Sequence, residues 1–316
     1  MPVTASRPLL RLSLFLFLIF SLFTSVFTAA ALVTARALPW GWVLLVAVRQ
    51  NERSRDQYND LYLIDVQHCR QHALDILSLD DALAWSPDGE RIAYISTATG
   101  GFELHVSDWR GVSDQQVTFG LGRISHPAWS PRSDQIVFTV SNRDQFDIFR
   151  LNLDEKSVPV ALTGADTVDV APDFAPDGTR LVYSGSWGAT FHLHTLDLIT
   201  GTVERINDTD DDRWAFDPTY SPDGSQIAYI TNNSSFDDYR LHILNADGTN
   251  PRMIAQAGLR TQINKPAFSP DGGSIAVIYT PERGATLLYA VNTDGIGWHR
   301  IPCTPDRIAA FAFRPF

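Results

Sequence analysis

The fold is decided by residues 84–95, which read Ala-Trp-Ser-Pro-Asp-Gly-Glu-Arg-Ile-Ala-Tyr-Ile. An aromatic residue, Trp85, precedes a Ser-Pro-Asp-Gly turn, and branched apolar residues follow the turn. Pro87 fixes φ for the second turn position, Asp88 suits the third, and Gly89 adopts a positive φ without a Cβ clash. The stretch therefore predicts a β-hairpin.

The same pattern returns at regular intervals along the chain. The turn proline recurs at spacings of 44, 45, 46, 48 and 45 residues, at Pro87, Pro131, Pro176, Pro222, Pro270 and Pro315. An aromatic residue stands two positions before each of these prolines: Trp85, Trp129, Phe174, Tyr220, Phe268 and Phe313. Four of the turns have a further proline four residues earlier, at Pro127, Pro172, Pro218 and Pro266. A period of roughly 20–50 residues indicates a repeat architecture.

Each repeat contains four strand-like segments within roughly 45 residues, which is typical of a propeller blade. The ends of the chain complete one another: residues 43–48, 60–65 and 73–77 resemble second, third and fourth strands, and residues 310–316 resemble a first strand. The sequence therefore predicts an all-β, six-bladed β-propeller of four-stranded blades, preceded by one N-terminal hydrophobic helix. A composite blade of three N-terminal strands and one C-terminal strand would close the ring and remove its open edges.

Residues 1–38 are expected to form a signal anchor or a signal peptide ahead of a propeller that spans residues 39–316. Arg7 and Arg11 precede an uncharged run at 12–35. This run can cross a hydrocarbon core of ~30 Å, and it exceeds the ~7–15 apolar residues usual in a secretory signal. Small residues within and just after the run also offer cleavage sites, so an anchor is favoured and a cleaved signal stays open. The basic end should remain cytoplasmic and direct the propeller across the membrane.

Composition excludes one class of partner and leaves the cysteines without an assigned role. The formal net charge is −11, from 36 acidic and 25 basic residues. A nucleic-acid partner is therefore not expected, because phosphates select basic surfaces. Cys69 and Cys303 form neither a disulfide framework nor a zinc pattern. They are expected at opposite ends of adjacent sheets, so a disulfide between them is not predicted.

These repeats resemble the WD40-like propeller repeats of the TolB family, whose signature is Pro-x-aromatic-Ser-Pro-Asp-Gly followed by an apolar strand. Residues 265–272, Lys-Pro-Ala-Phe-Ser-Pro-Asp-Gly, carry that pattern in full, and the resemblance covers residues 43–316. One turn departs from it: residues 131–134, Pro-Arg-Ser-Asp, lack the glycine and are expected to have another geometry. TolB proteins carry an α/β domain before the propeller, which is not expected here. The resemblance implies a fold, and it does not by itself transfer the Tol-Pal role.

Two groups of residues suggest a metal site. Asp208, Asp210 and Asp212 belong to the densest acidic cluster and are candidate oxygen ligands for Ca²⁺. The cluster lacks the EF-hand spacing, so a solvated acidic loop is the alternative. Three histidines lie in one column of the repeat that elsewhere holds Tyr and Phe: His105, His194 and His242. A column of this kind indicates packing rather than metal binding.

Motifs for catalysis are absent from the sequence. It has no nucleophile elbow, phosphate-binding loop or dinucleotide fingerprint, so we expect no catalytic residue and no enzyme activity. Two alternatives stay open. One is a propeller enzyme, such as a polysaccharide lyase or glycosidase, that uses the channel mouth. The other is a sensory or regulatory ectodomain.

The expected function is binding at the cell envelope. The protein would be a single-pass membrane protein with its propeller outside the cytoplasm, or secreted or periplasmic if the N-terminal segment is cleaved. A monomeric propeller would bind a protein or polar ligand on the rim opposite the Ser-Pro-Asp-Gly turns, and the N-terminal helix would contact the membrane. The candidate binding residues lie in loops and strand ends predicted on that rim: Trp187, Trp214, Asp211, Asp217 and Asp237.

Overall fold

The computed structural model describes residues 43–49, 59–78, 82–143, 145–154, 157–164, 167–188, 190–207, 213–233 and 237–315. These residues form β-strands joined by turns. In chain order the strands are β1 (Val43–Arg49), β2 (Asn59–Asp65), β3 (Arg70–Ser78), β4 (Leu83–Trp85), β5 (Arg91–Ser96), β6 (Glu103–Asp108), β7 (Gln115–Gln116), β8 (Arg123–Trp129), β9 (Gln135–Asn142), β10 (Gln145–Asn152), β11 (Val160–Ala161), β12 (Asp169–Phe174), β13 (Arg180–Trp187), β14 (Thr190–Asp197), β15 (Val203–Arg205), β16 (Arg213–Tyr220), β17 (Gln226–Asn233), β18 (Arg240–Asn245), β19 (Arg252–Gln256), β20 (Gln262–Phe268), β21 (Ser274–Thr280), β22 (Leu287–Asn292), β23 (His299–Arg300) and β24 (Ile308–Phe313).

The strands are arranged in six antiparallel four-stranded sheets. Five sheets are each formed by one continuous stretch of chain: β4–β7, β8–β11, β12–β15, β16–β19 and β20–β23. The sixth combines both ends in the order β24-β1-β2-β3. The first strands of consecutive sheets contact one another, from β4 through β8, β12, β16 and β20 to β24, and β24 in turn contacts β4. These six inner strands therefore form a closed ring.

The expected fold class needs one correction, which concerns its helical part. Within the described ranges the chain contains strands and turns but no helix. The hydrophobic helix was expected within residues 1–38, which lie outside those ranges, as does the proposed signal anchor or signal peptide. No helix among the described residues is long and apolar enough to cross a membrane.

The core lies between neighbouring sheets. Five of the six aromatic residues before the turns are buried, and each of these five belongs to a cluster with apolar residues of the preceding sheet, whereas Phe313 is half-buried. Trp129, for example, packs with Ile95 and Leu104 of the β4–β7 sheet. Each sheet thus covers one face with its neighbour, so the ring removes from water the apolar surface that a lone sheet would expose.

The repeated turns have one common geometry. In the first, the amide of Gly89 donates to the carbonyl of Ser86 at 2.8 Å, and Gly89 has a φ of 70°. The turn that lacks glycine was expected to differ, and this expectation is wrong. Its Ser133 amide donates to the carbonyl of Ser130 at 2.9 Å, with a φ of 58° at Ser133. The Ser133 hydroxyl also accepts a hydrogen bond from the Asp88 amide at 3.1 Å, which offsets the left-handed backbone.

The two cysteines form a disulfide, contrary to the sequence-based expectation. Cys69 lies in the turn between β2 and β3, and Cys303 lies between β23 and β24, with their Cα atoms 5.1 Å apart. Because β23 has only two residues, the chain leaves its sheet early and reaches the β2–β3 turn. The side-chain amide of Gln71 donates to the Cys303 carbonyl at 2.8 Å and supports this approach.

Candidate binding site in the central cavity

The wall of the central cavity is shaped by an irregularity in four of the inner strands. In these strands a proline lies four residues before the turn proline, and the residue that precedes it has a left-handed backbone. The φ values are 51° at His126, 54° at Ala171, 49° at Asp217 and 50° at Lys265. The register of pairing shifts at each of these positions. An extra residue in one strand is a β-bulge, which turns a side chain away from its regular direction.

These bulges border a cavity of about 570 Å³ that is lined by residues of all six sheets. The bulged residues His126, Ala171, Asp217 and Lys265 line it, together with Ala310 of β24. Turn prolines also line it: Pro87, Pro131, Pro176, Pro222 and Pro315. The cavity therefore reaches the rim that carries the Ser-Pro-Asp-Gly turns, whereas the sequence analysis placed the binding face on the opposite rim.

Hydrogen bonds connect neighbouring inner strands around this wall. The Lys265 amide of β20 donates to a carboxylate oxygen of Asp217 in β16 at 3.2 Å. The Lys265 ammonium donates to the Ala309 carbonyl of β24 at 3.3 Å. On the other side of β16, the Asp173 carboxylate accepts bonds from the Thr219 hydroxyl at 3.0 Å and from the backbone amide of the next residue at 2.8 Å. The charged groups of the wall are therefore held by contacts between sheets.

Burial perturbs the carboxyl group of Asp173, which lines the cavity. Burial raises the pKa of its carboxyl to about 6, although hydrogen bonds from Tyr220, Thr219 and Phe174 favour the ionised form. The remaining lining is largely Ala, Pro and aromatic residues, which present little charge. The site is thus an apolar cavity with a few fixed polar groups, the usual composition of a binding site.

The residues proposed from the sequence do not form one site. Asp217 lies in the cavity wall, and Trp214 lies three residues earlier in β16. The Trp214 ring is 5.7 Å from Phe191 of the neighbouring sheet, between centroids, so it contributes to packing between sheets. The carboxylate of Asp237 accepts a bond from the Asn233 amide nitrogen at 2.7 Å in a separate cavity.

Of the other proposed residues, the structure places only the backbone of Trp187. Trp187 ends β13, where its backbone pairs with Thr190. Asp208, Asp210, Asp211 and Asp212 lie outside the described residues, so calcium binding by this acidic cluster stays a prediction. In the part of the chain that the structure describes, no group of three or more His, Cys, Asp or Glu residues could hold a metal ion.

The histidine column is a packing feature, as the sequence analysis predicted. His105, His194 and the half-buried His242 pack against tyrosines of the adjacent strand, with ring centroids 5.5, 5.5 and 5.4 Å apart. Burial lowers the pKa of His242 to about 4 and keeps its imidazole neutral at physiological pH. The column therefore belongs to the sheets rather than to the cavity.

Sequence reasoning missed a second polar cluster. Arg213 and Arg240 both donate to the carboxylate of Asp238, and the Gln256 amide donates to it at 2.8 Å. Burial opposes ionisation of this carboxyl, but these hydrogen bonds lower the pKa of Asp238 to about 2. The cluster joins β16, β18 and β19, and it is a structural network at the edge of one sheet.

Comparison with known proteins identifies the repeat. The family model described as the TolB beta propeller domain, PD40, matches residues 34–315. An uncharacterized protein of Agrobacterium fabrum is 25% identical over 201 residues, which cover 61% of this chain and 67% of that protein. The Tol-Pal system protein TolB of Francisella tularensis is 33% identical over 86 residues, covering 27% of this chain and 19% of that protein.

Solved structures share the fold at low identity. TolB from Acinetobacter baumannii superposes with a TM-score of 0.72 at 22% identity, covering 87% of this chain and 67% of that chain. An oligogalacturonate lyase in complex with manganese gives a TM-score of 0.53 at 17% identity, covering 86% and 74% of the two chains. Propellers of this shape thus occur in proteins with different activities, and this likeness concerns the fold alone.

Proposed function

This chain belongs to the TolB beta propeller domain family, and from that membership we propose that it is an exported protein-binding module of the cell envelope. The central cavity is its binding site and receives an extended segment of a partner protein. One relative is named as a protein of the Tol-Pal system, which supports an envelope role.

The observation that carries the proposal is the composition of the cavity wall. A volume of about 570 Å³ can enclose several residues of a partner, and Ala and Pro side chains offer apolar contact along its sides. The partner would meet Lys265 and His126 as potential donors and Asp217 as an acceptor. A partner segment with a carboxylate and a hydroxyl or ammonium group among small apolar residues fits these groups, because each polar atom of the segment would form a hydrogen bond with the wall when it is buried.

Export to an oxidising compartment is the proposed location. The Cys69–Cys303 disulfide supports it, since disulfides persist in the periplasm and outside the cell and are rare in the cytosol. The uncharged run at 12–35 behind two arginines agrees with export in either form, as a cleaved signal or as an anchor. Whether this segment is cleaved can be read by N-terminal sequencing of the protein recovered from cells.

Site-specific photo-crosslinking tests the cavity. A photoreactive amino acid replaces Ala128, which lines the cavity, or Ile199, which is 82% exposed in a turn between outer strands. We expect one discrete partner adduct in intact cells from position 128 and none from position 199. Introducing Lys265→Glu should abolish the adduct at 128 without lowering the melting temperature by more than a few degrees. Equal capture at both positions, or capture that tolerates Lys265→Glu, contradicts the proposal.

Binding rather than turnover is proposed for this cavity. The same purified protein can be assayed against polygalacturonate, other polysaccharides and peptide panels. Turnover that is lost in the Asp217→Asn variant would instead support a propeller enzyme. Absence of turnover together with the position-specific adduct is the expected result.

A further inference from the structure

The ring is closed by two different links, and one of them is reducible. The first is the pairing of β24 with β1, which runs from Leu44↔Phe313 to Val48↔Ile308 with one register shift. The second is the disulfide between Cys69 and Cys303, which are separated by 234 residues in sequence. Both links join the N-terminal part of the described chain to its C-terminal part.

The disulfide is connected to β24 by an ordered segment. Between β23 and β24, the Thr304 hydroxyl donates to the Ile301 carbonyl at 2.7 Å, and Arg300 donates to the Thr304 carbonyl at 2.9 Å. Arg300 also pairs with Asp306 at 2.8 Å. The Arg307 amide then donates to the Thr286 carbonyl at 2.8 Å just before β24 begins. A segment ordered by these contacts therefore joins Cys303 to the start of β24.

The strand that follows this turn is part of the binding cavity. Ala310, Phe311, Ala312 and Phe313 of β24 all line the cavity. The Ala309 carbonyl accepts the bond from the Lys265 ammonium. In its sheet β24 is an edge strand that pairs only with β1. A strand with one ladder opens locally more readily than a strand paired on both sides.

We infer that the Cys69–Cys303 disulfide is a reducible latch: its reduction by a dithiol loosens β24 and thereby alters the cavity wall. Cys69 is exposed and lies in a turn, so an attacking thiolate can reach its sulfur. The functional part of this inference, altered binding at the cavity, rests on the proposed function. The conformational part does not.

The chemistry balances with a dithiol as the reductant. One thiolate of the dithiol attacks the Sγ of Cys69, the Cys69–Cys303 bond breaks, and Cys303 leaves as a thiolate that takes up a proton. The second thiolate of the reductant then attacks the reductant sulfur that is bonded to Cys69 in the mixed disulfide, and Cys69 is released as a thiolate that takes up a proton. The protein gains two electrons and two protons, and the dithiol is oxidised to its disulfide.

Reduction would act on β24 through chain entropy. The cross-link restricts the separation of β24 from the β2–β3 hairpin, and without it the detached segment gains conformational freedom. The other sheets contain no described cysteine, so their pairing should not respond. The expected effect is local opening and not global unfolding.

Hydrogen exchange of the full chain in its oxidised and dithiothreitol-reduced forms tests the latch. We expect the amides of β24 to exchange about tenfold faster or more after reduction, with β13 and β17 unchanged, and protection to return on reoxidation. The Cys69→Ser/Cys303→Ser variant should resemble the reduced form and should not respond to dithiothreitol. It is the matched control for effects of the reductant elsewhere.

Two results overturn the inference. Equal exchange of β24 in both forms means that the disulfide does not control the strand. Loss of protection in all six sheets on reduction means that it stabilises the whole fold and is not a latch. Photo-crosslinking from position 128 in the oxidised protein reports on the proposed function separately, so a failed latch and a failed binding site can be distinguished.

Discussion

The backbone amide of Lys265 donates a hydrogen bond to a carboxylate oxygen of Asp217 across 3.2 Å. The two residues occupy equivalent bulges on neighbouring inner strands, and both line the central cavity. The Asp217 side chain thus fixes the backbone of Lys265, whose own side chain also lines the cavity. The wall of the cavity and the joint between two sheets are therefore built from the same atoms.

Substitution of Asp217 should separate its backbone role from its charge. Asn retains an acceptor oxygen and tolerates a left-handed backbone, whereas Val removes the acceptor and strongly disfavours that backbone. We expect Asp217→Asn to change the free energy of unfolding by less than about 0.5 kcal/mol and Asp217→Val to lower it by about 2–3 kcal/mol. Urea unfolding of both variants measures this. Equal midpoints would show that the bulge does not depend on residue 217.

Asp173 should make stability depend on pH. Its folded pKa of about 6 lies above the ordinary value of 3.8, so the folded state binds more protons between these values. Its favourable contribution is complete below pH 3.8 and is lost as pH rises through 6. Asp173→Asn should therefore raise the free energy of unfolding at pH 7.5 by about 1–2 kcal/mol and have little effect at pH 3.5.

Asp238 is the control of opposite sign for that experiment. Its folded pKa of about 2 lies below the ordinary value of 3.8, so its contribution is present above pH 3.8 and is lost as pH falls through 2. Asp238→Asn should lower stability at pH 7.5, because two arginines lose their charged acceptor. Thermal melts at both pH values give the comparison, and a loss of stability in Asp173→Asn at pH 7.5 would reverse the assignment.

The turn glycine should be required by its backbone conformation. Gly89 has a φ of 70°, and a Cβ there would lie 3.4 Å from the Arg314 side chain. We expect Gly89→Val to lower the free energy of unfolding by at least about 1 kcal/mol. Ser133→Gly is the matched change at the equivalent turn, where relief of the left-handed backbone is offset by loss of the bond from the Asp88 amide. A large loss of stability in Ser133→Gly and none in Gly89→Val would contradict this account.

The aromatic residue before each turn should contribute more than an exposed aromatic residue. Trp85 is 7% exposed and packs between sheets, with the Arg314 guanidinium 5.4 Å from its ring centre. Trp85→Ala should cost about 3–5 kcal/mol. Trp298, which is 39% exposed, is the control, and its replacement by Ala should cost much less. If both variants lower the melting temperature by the same amount, Trp85 does not belong to the core.

The strands and their order follow from the repeat, because the turn prolines and the preceding aromatics recur at one period. The prediction for the Ser133 turn is wrong because a missing glycine does not by itself change the geometry of the turn. A serine can adopt the same φ when its hydroxyl accepts a hydrogen bond from the preceding turn, here from the Asp88 amide. The disulfide was not predicted because Cys69 and Cys303 were expected at opposite ends of adjacent sheets, whereas the chain after the two-residue strand β23 reaches the turn between β2 and β3. Strand ends are decided by tertiary contacts, which a local pattern does not contain.

The cavity could have been found from one overlooked signal. Pro127, Pro172, Pro218 and Pro266 belong to the repeat, and the residue before a proline is restricted in its backbone conformation. These preceding residues are His, Ala, Asp and Lys, so they vary within an otherwise regular pattern. Asp217 was proposed for a different rim, because a loop was expected where β16 continues. Variation at a fixed position of a repeat marks a site that packing does not determine.

The bulge before these prolines separates two tasks that share one strand. Residues on either side of it pack against the neighbouring sheet, whereas the bulged residue lines the cavity and is small, basic or acidic in different sheets. A propeller built in this way can acquire a new ligand preference by substitution at one position in each bulged strand, provided that bonds between sheets such as that from Lys265 to Asp217 are kept. Exchanging the four bulged residues of two such propellers together should exchange their ligand preferences.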